Sequence, residues 1–359
     1  MKAARFLARL VAYCAIFVVA LELSARLDDL VRFGAPFLGN YGLDGLMVVD
    51  DTGLHGKPFA SFERWRLNSV GTQGREPSAE PAGSELVVLV LGASESFGLY
   101  ESPGMSYAAQ LERMLADRLG RPVNVQNAAW AGMSLPRATE YCQAGFQRIR
   151  PAVVIYYPTP AGYLDDKPPG SARPRLGPLE DPAPAWRFLR RWRAVLKRWL
   201  PESTQLWLRN RQIGAATAGK PDTWFFRDVP EDRVRLFEEQ FRSFERCVRS
   251  AGVALVVGTH ANRFSDPPAP SDRPVLLAWR MFYPRADERV LLAMDRRVNH
   301  AIARVAAEED IPVADIAGAV PPDPRNFQDF SHFTDRGSTI AAAAFADAIT
   351  LMLEHGKAR

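Results

Sequence analysis

Cysteine is scarce in this chain: three residues in 359, at Cys14, Cys142 and Cys247. So few, so widely spaced, make neither a disulfide framework nor a metal cluster. Cys14 falls in an apolar N-terminal run. Cys142 and Cys247 fall in expected helices, where two buried free thiols are the expectation and one Cys142–Cys247 bridge is the alternative. The marks of a nucleic-acid binder are also missing: there is no Cys/His finger spacing and no RNP-like aromatic motif. A net charge of +4 permits contact with anionic surfaces without arguing for nucleic acid. Near the N-terminus the uninterrupted apolar run, Leu10 to Leu21, is short of the roughly 20 residues that span a bilayer.

What is present is ordinary for a globular protein, with 47% hydrophobic and 24% charged residues, enough for one large domain or two. Extending the apolar run to Phe6–Leu23 leaves Arg9 and Glu22 near its ends, where long side chains can snorkel. A cleaved signal peptide needs a small-x-small site. Leu23-Ser24-Ala25 has Leu at the wrong place, so residues 1–27 read as an uncleaved anchor, with a signal segment as the alternative. Lys2, Arg5 and Arg9 ahead of the run put the N-terminus in the cytoplasm. The remainder then faces outward, which in a bacterium is the periplasm. Residues 28–84, with scattered Gly and Pro, read as an irregular lead-in, and 85–359 as the main domain.

That domain turns on Leu86 to Gly98, LVVLVLGASESFG. Its dense Leu/Val run lacks alternation, which suits a strand buried on both faces of a parallel sheet. Gly92 ends the run, and Ser94 is lifted to the rim of the sheet, where open α/β sheets bind ligands. Ser94 is a nucleophile candidate there, or merely a turn cap. Far downstream, Asp329-Phe330-Ser331-His332 precedes Phe333-Thr334-Asp335-Arg336-Gly337 and an Ala-rich helix. Residues three apart on a helical turn face one another, which would let Asp329 hold the His332 imidazole. A serine hydroxyl needs such an oriented base before it attacks.

These two stretches resemble the SGNH (GDSL-type) hydrolases, in their membrane-anchored bacterial form. Gly92-Ala93-Ser94 stands where that family has its nucleophile motif, and Asp329-x-x-His332 where it has the other two triad members. Leu67-Asn68-Ser69-Val70-Gly71-Thr72-Gln73-Gly74-Arg75-Glu76 resembles the lead-in found ahead of the nucleophile strand; a plain pair of Gly turns is its other reading. The likeness runs from about Leu67 to about Leu353. It implies a three-layer α/β/α flavodoxin-like sandwich. It also implies an oxyanion hole from the Ser94 and Gly132 backbone N–H groups, although Gly132 is equally readable as a turn glycine. The family's third donor, the Asn of Gly-x-Asn-Asp, aligns with Pro160, which has no such group; the Thr159 hydroxyl is the candidate substitute. Ala93 replaces the family's Asp beside the nucleophile.

Taken in order, Pro122–Asn127, Ala152–Tyr157, Val253–Gly258 and Ile311–Ile316 read as four further strands. Ser106–Leu119, Pro230–Ala251, Glu288–Glu309 and Ser338–Leu353 read as helices between and after them. Five strands alternating with helices make a parallel sheet covered on both faces. Ser94, Gly132, Thr159, His260 and His332 all follow strand ends and so share one rim, which makes His260 a rival base. An insertion at about 162–227 opens with a Pro-rich, charged stretch, Asp165–Pro184, expected as a surface loop. In Trp186–Leu200, Trp186, Leu189, Trp192, Leu196 and Trp199 lie at helical spacing among Arg187, Arg190, Arg191, Arg193, Lys197 and Arg198. Such a helix can lie on a membrane. The expectation here is that its apolar stripe packs on the domain and its arginines face water.

The resemblance implies acyl transfer from an ester, with no metal or organic cofactor required. The expected substrate is an acylated carbohydrate or other small ester, with O-acetyl groups on an envelope or exported glycan foremost, and water or a sugar hydroxyl as acceptor. Two other readings stand beside it. One is a catalytically degenerate domain that binds glycan without turnover, motivated by Pro160 and Ala93. The other is a membrane-associated protein whose Trp/Arg helix recruits partners.

Overall fold

The structure, a computed structural model, describes residues 2–39, 41–50, 53–77, 85–170 and 186–357. Most of the expected loop Asp165–Pro184 and the end of the lead-in lie outside them. Helix α1, Lys2–Phe33, opens the chain. The sheet strands are β1 (Leu86–Gly92), β2 (Val123–Asn127), β3 (Val153–Tyr157), β4 (Ala254–Gly258) and β5 (Val313–Ala314). Between β1 and β3 lie α2 (Tyr107–Leu119) and α3 (Leu135–Ile149). Before β4 come α4 (Arg187–Trp199), α5 (Glu202–Thr217) and α6 (Glu231–Ser250). Then α7 (Arg273–Phe282) and α8 (Glu288–Glu308) precede β5, and α9 (Asp335–Lys357) closes the chain.

The sheet runs β2-β1-β3-β4-β5 and is parallel throughout. That order is the flavodoxin-like one, with its ligand crevice where the order reverses beside β1. All seven residues of β1 are buried, because both faces are covered. Val87, Leu89 and Leu91 pack under α3, α6 and α8. Leu86, Val88 and Val90 pack under α2 and α9. The expected three layers are therefore present, and four of the five strands start or end within a residue of the expected bounds. The fifth is shorter than Ile311–Ile316.

Two expectations are corrected. Cys142 and Cys247 are not free thiols but a disulfide, with their Cα atoms 6.4 Å apart. Their helices, α3 and α6, are neighbours in one layer, a relation that a separation of 105 residues hides. The lead-in is also less irregular than its composition suggests. Met47–Asp50 pairs antiparallel with Gly53–Gly56, and Ser61–Phe62 with Trp65–Arg66.

The segment Leu67–Glu76 is tied to the sheet through Asn68. Its side chain donates to Gln126 Oε1 at 2.8 Å and accepts from the Val70 and Thr72 amides at 3.1 Å each. Gly71 faces Gly56 so closely that a Cβ on Gly71 would fall 2.0 Å from the Gly56 carbonyl oxygen. Its φ of +79° disfavours any side chain as well.

Candidate active site

Gly92 at the end of β1 has no room for a side chain: a Cβ there would meet Ser96 Oγ at 2.3 Å and the Tyr157 carbonyl oxygen at 2.9 Å. The chain then breaks into extended backbone at Ala93 and starts one short helical turn, Ser94–Phe97. Ser94 is thereby raised above the carboxyl end of the sheet.

The segment 329–332 reaches Ser94 by a route other than the helical turn expected. Phe327 bridges antiparallel to Phe333, and the Gln328 amide donates to the His332 carbonyl oxygen at 2.8 Å. The loop this closes folds around Asp329, whose Oδ1 accepts from the Ser331 and His332 amides at 3.1 and 3.0 Å. An aspartate capping its own turn in this way is left facing the imidazole. His332 Nδ1 lies 2.8 Å from Asp329 Oδ2, and His332 Nε2 lies 2.8 Å from Ser94 Oγ. Tyr100 sets its ring edge-on to the imidazole, 5.3 Å between centroids.

Beneath this line is a second set of charged groups that the sequence reading did not assemble. Glu95, fully covered beside Ser94, accepts from Ser331 Oγ at 2.8 Å. Its other oxygen is 3.4 Å from both Ser94 Oγ and Thr159 Oγ1. His260 Nε2 stands 3.8 Å from Glu95, and its Nδ1 is 2.8 Å from Asp295 Oδ2. Asn262 donates to the same Asp295 oxygen, and Asn299 accepts from the His260 amide. The rival base His260 thus has its acid, Asp295, on α8, and it is His332 that holds the hydrogen bond to Ser94. Adjacency to Ser94 was the one signal for Glu95; nothing local marked Asp295.

Burial opposes charge on each of these groups, and the pairing overcomes it. The His332 pKa is raised despite desolvation by the Asp329 hydrogen bond and the charges of Glu95, Asp329 and Glu101. Glu95 is held well below the usual carboxylate range, against desolvation, by His260 and His332. His260 is pushed up by Asp295 and Glu95. The result is a buried Asp295–His260–Glu95 row next to the Ser94–His332–Asp329 row.

Both rows border one cavity of about 580 Å³. Ser94, Thr159, His260, Asp329 and His332 all line it. Its outer wall comes from Leu208 and Arg209 of α5 and from Trp279 and Phe282 of α7, so the insertion contributes to the site. Gly132, at φ +85°, lines the adjoining cavity with Phe97 and Trp130, while its neighbour Ala131 lines both. Pro160 starts a buried 3-10 turn after Thr159. The Thr159 hydroxyl faces the Glu95 carboxylate.

The Trp186–Leu200 helix is the inverse of expectation. Arg187 is only 2% exposed, whereas Trp192 and Trp199 are 56% and 80% exposed. The reason is acidic: Asp28 and Asp29 on α1 take up the arginine face, and Glu22 accepts from the Phe188 amide.

No protein-family model matches the chain, and no curated protein does. Among solved structures it is similar to TesA, at 12% identity and a TM-score of 0.42 over 73% of this chain and 97% of that one. It is similar to the lipase Lip_vut3 from a goat rumen metagenome at 12% identity and a TM-score of 0.41, over 73% and 97%. To Axe2, an acetylxylan esterase from Geobacillus stearothermophilus, it is similar at 13% identity and a TM-score of 0.42, over 74% and 94%.

Proposed function

We propose that this chain is a serine-dependent acyl-ester hydrolase of SGNH type. The observation that carries the reading is the unbroken line Asp329–His332–Ser94, with both steps at 2.8 Å. In this reading His332 Nε2 takes the Ser94 proton as Oγ attacks the ester carbonyl. Asp329 holds Nδ1–H and steadies the imidazolium that forms. The Ser94 amide and the backbone N–H at Gly132 receive the oxyanion, with the Thr159 hydroxyl as third donor. His332 then returns the proton to the departing alkoxide, and water activated by the same imidazole releases the acid. A sugar hydroxyl in place of water would make the reaction an acyl transfer.

The finer reading is that the acyl group is acetyl, carried on an envelope or exported glycan, and that α1 anchors the protein with its catalytic domain outward, toward the periplasm. Supporting it are an 18-residue apolar window within Arg5–Phe33 of α1, with mean hydropathy 2.1, and the Cys142–Cys247 disulfide, a bond that persists in oxidising compartments. A second reading, a glycan-binding domain without turnover, is favoured by Pro160, which has no side-chain donor, and by the Glu95 carboxylate, which lies 3.4 Å from both Ser94 Oγ and Thr159 Oγ1.

A fluorophosphonate probe and a p-nitrophenyl acetate assay on the detergent-solubilised full chain separate the two. Labelling and turnover in the parent, lost on the order of 10⁴-fold or more in Ser94→Ala and His332→Ala, support the hydrolase. Equal background in all three proteins overturns it.

A further inference from the structure

Helix α4 is mounted with Arg187, Arg190 and Arg191 turned toward α1 and the residues that follow it. Arg187 Nη2 donates to the Pro36 carbonyl oxygen at 2.6 Å and Nη1 to Asp29 at 3.5 Å. Arg190 donates to the Tyr41 carbonyl oxygen at 2.9 Å. Arg191 pairs with Asp28 at 2.7 Å and also with Asp29, which is 1% exposed. The α4 backbone is held too, since the Phe188 amide donates to Glu22 Oε2 at 3.2 Å. Freeing this face would leave Asp29 buried without a partner, so the helix cannot roll over cheaply. Its other face, Leu189, Trp192, Val195, Leu196 and Trp199, is left exposed.

What covers that face is indicated by where it begins. The carboxylate contacts lie on the Glu22–Asp29 stretch of α1 and the two carbonyl contacts just beyond that helix, at Pro36 and Tyr41; this is the end of a shaft whose Phe6, Leu10, Ile16, Phe17 and Leu23 are exposed in the same way. The exposed apolar face of α4 thus belongs to a helix joined to the carboxyl end of the apolar shaft of α1, and the carboxylates and arginines at that joint make a polar boundary. Tryptophan concentrates at such boundaries, its ring apolar and its N–H wet.

We infer that α4 is a second membrane contact, lying in the headgroup layer of the bilayer that α1 crosses, with its Trp/Leu face in the acyl chains. The inference rests on reading α1 as an anchor. It has a consequence for the site: α5 follows α4 at once and forms one wall of the Ser94 cavity, so the cavity is held at the membrane surface.

The test uses the full chain in phosphatidylethanolamine/phosphatidylglycerol proteoliposomes, with nitroxide labels whose relaxation by oxygen and by a water-soluble nickel chelate is compared. A label on native Cys14 reports α1. In a Cys14→Ser background, Trp192→Cys and Trp199→Cys report α4, and Asp117→Cys, on the exposed side of α2, is the aqueous standard. The expected result is an oxygen-to-nickel ratio several-fold above the standard at 14, 192 and 199. A high ratio at 14 with the aqueous value at 192 and 199 overturns the inference and leaves the anchor standing. The aqueous value at 14 removes both. Protection from both relaxants at 192 and 199 means that protein covers the face, a second copy if the labels couple between molecules, and also overturns it. Fluorophosphonate labelling of the same variants reports the hydrolase reading separately, because none of these positions lies in the Ser94 cavity.

Discussion

Glu95 grips Ser331 at 2.8 Å alongside the 2.8 Å bond between Ser94 and His332. Two consecutive residues after β1 thus hold two consecutive residues of the last loop, 236 positions away for one pair and 238 for the other. A neutral hydrogen-bonding residue at 95 would serve as a clasp. A carboxylate adds negative charge close to the imidazole, and so the clasp also bears on its basicity.

Replacing Glu95 by Gln keeps an acceptor for Ser331 and removes the charge. The other groups facing His332 are Asp329 and Ser94 by hydrogen bond, Tyr100 by its ring edge, and Glu101 by charge. With them in place, the His332 pKa falls in Glu95→Gln relative to the parent. Because the base must be neutral to accept the Ser94 proton, the acid limb of the kcat/KM profile moves to lower pH. Glu95 is a positioning residue on this account. An acid limb that stays where it was, with only the plateau reduced, would reject the electrostatic role and leave the mechanical one.

Asp329→Asn keeps the shape of the loop but loses the charge that balances the imidazolium and fixes its tautomer. The expected fall in kcat is about 10⁴-fold, with KM for a short acyl ester little changed. The measurement is steady-state turnover of p-nitrophenyl acetate. A loss of only a few-fold would mean that Asp329 shapes the loop and does no more.

Much of this was legible in the sequence, for reasons that differ by element. The β1 run and strands β3 and β4 are apolar on both faces, which a covered parallel sheet accommodates; β2, with Asn124 and Gln126, is not. The meeting of Ser94, Asp329 and His332 was expected from the resemblance of Gly92-Ala93-Ser94 and Asp329-x-x-His332 to the SGNH motifs, with Ser94 also placed by its position after a strand. The Glu95–His260–Asp295 row was not, because its members lie on the β1 turn, on the β4 end and in α8, and only the packed sheet brings them together. Helix α4 was misjudged for a related reason. Its amphipathic pattern gave two faces but not which was inward; Asp28 and Asp29 on α1, more than 150 residues earlier, decided that.

The buried ion row makes stability depend on pH. His260 is raised from 6.5 to about 10 in the folded state. Its contribution is therefore whole below the unfolded value and lost as pH rises through the folded one. Glu95 works at the other end: its lowered pKa contributes above the usual carboxylate value and is lost as pH falls toward the folded one. The melting temperature should decline from pH 7 to 10. In Asp295→Asn it should be lower throughout, by a loss of about 3–5 kcal/mol for breaking a buried pair, and the decline should flatten. A parent slope retained in Asp295→Asn would show that His260 is not the group titrating.

The Cys142–Cys247 bond joins α3 to α6 on the face of the sheet opposite α2 and α9, and closes a loop of 105 residues. Constraining an unfolded loop of that length is worth up to about 4.7 kcal/mol. Both cysteines already pack against apolar neighbours in that layer, so Ala at the two positions leaves small cavities and no buried polar group. The double replacement Cys142→Ala/Cys247→Ala should therefore lower the denaturant midpoint substantially while leaving fluorophosphonate labelling of the folded protein at the parental rate, because neither residue lines the Ser94 cavity. Adding reductant should shift the parent midpoint toward that of the double variant and leave the variant itself unmoved. A parent whose midpoint ignores reductant, with three titratable thiols after unfolding where Cys14 alone would give one, would mean that the pair is not bonded in the folded protein.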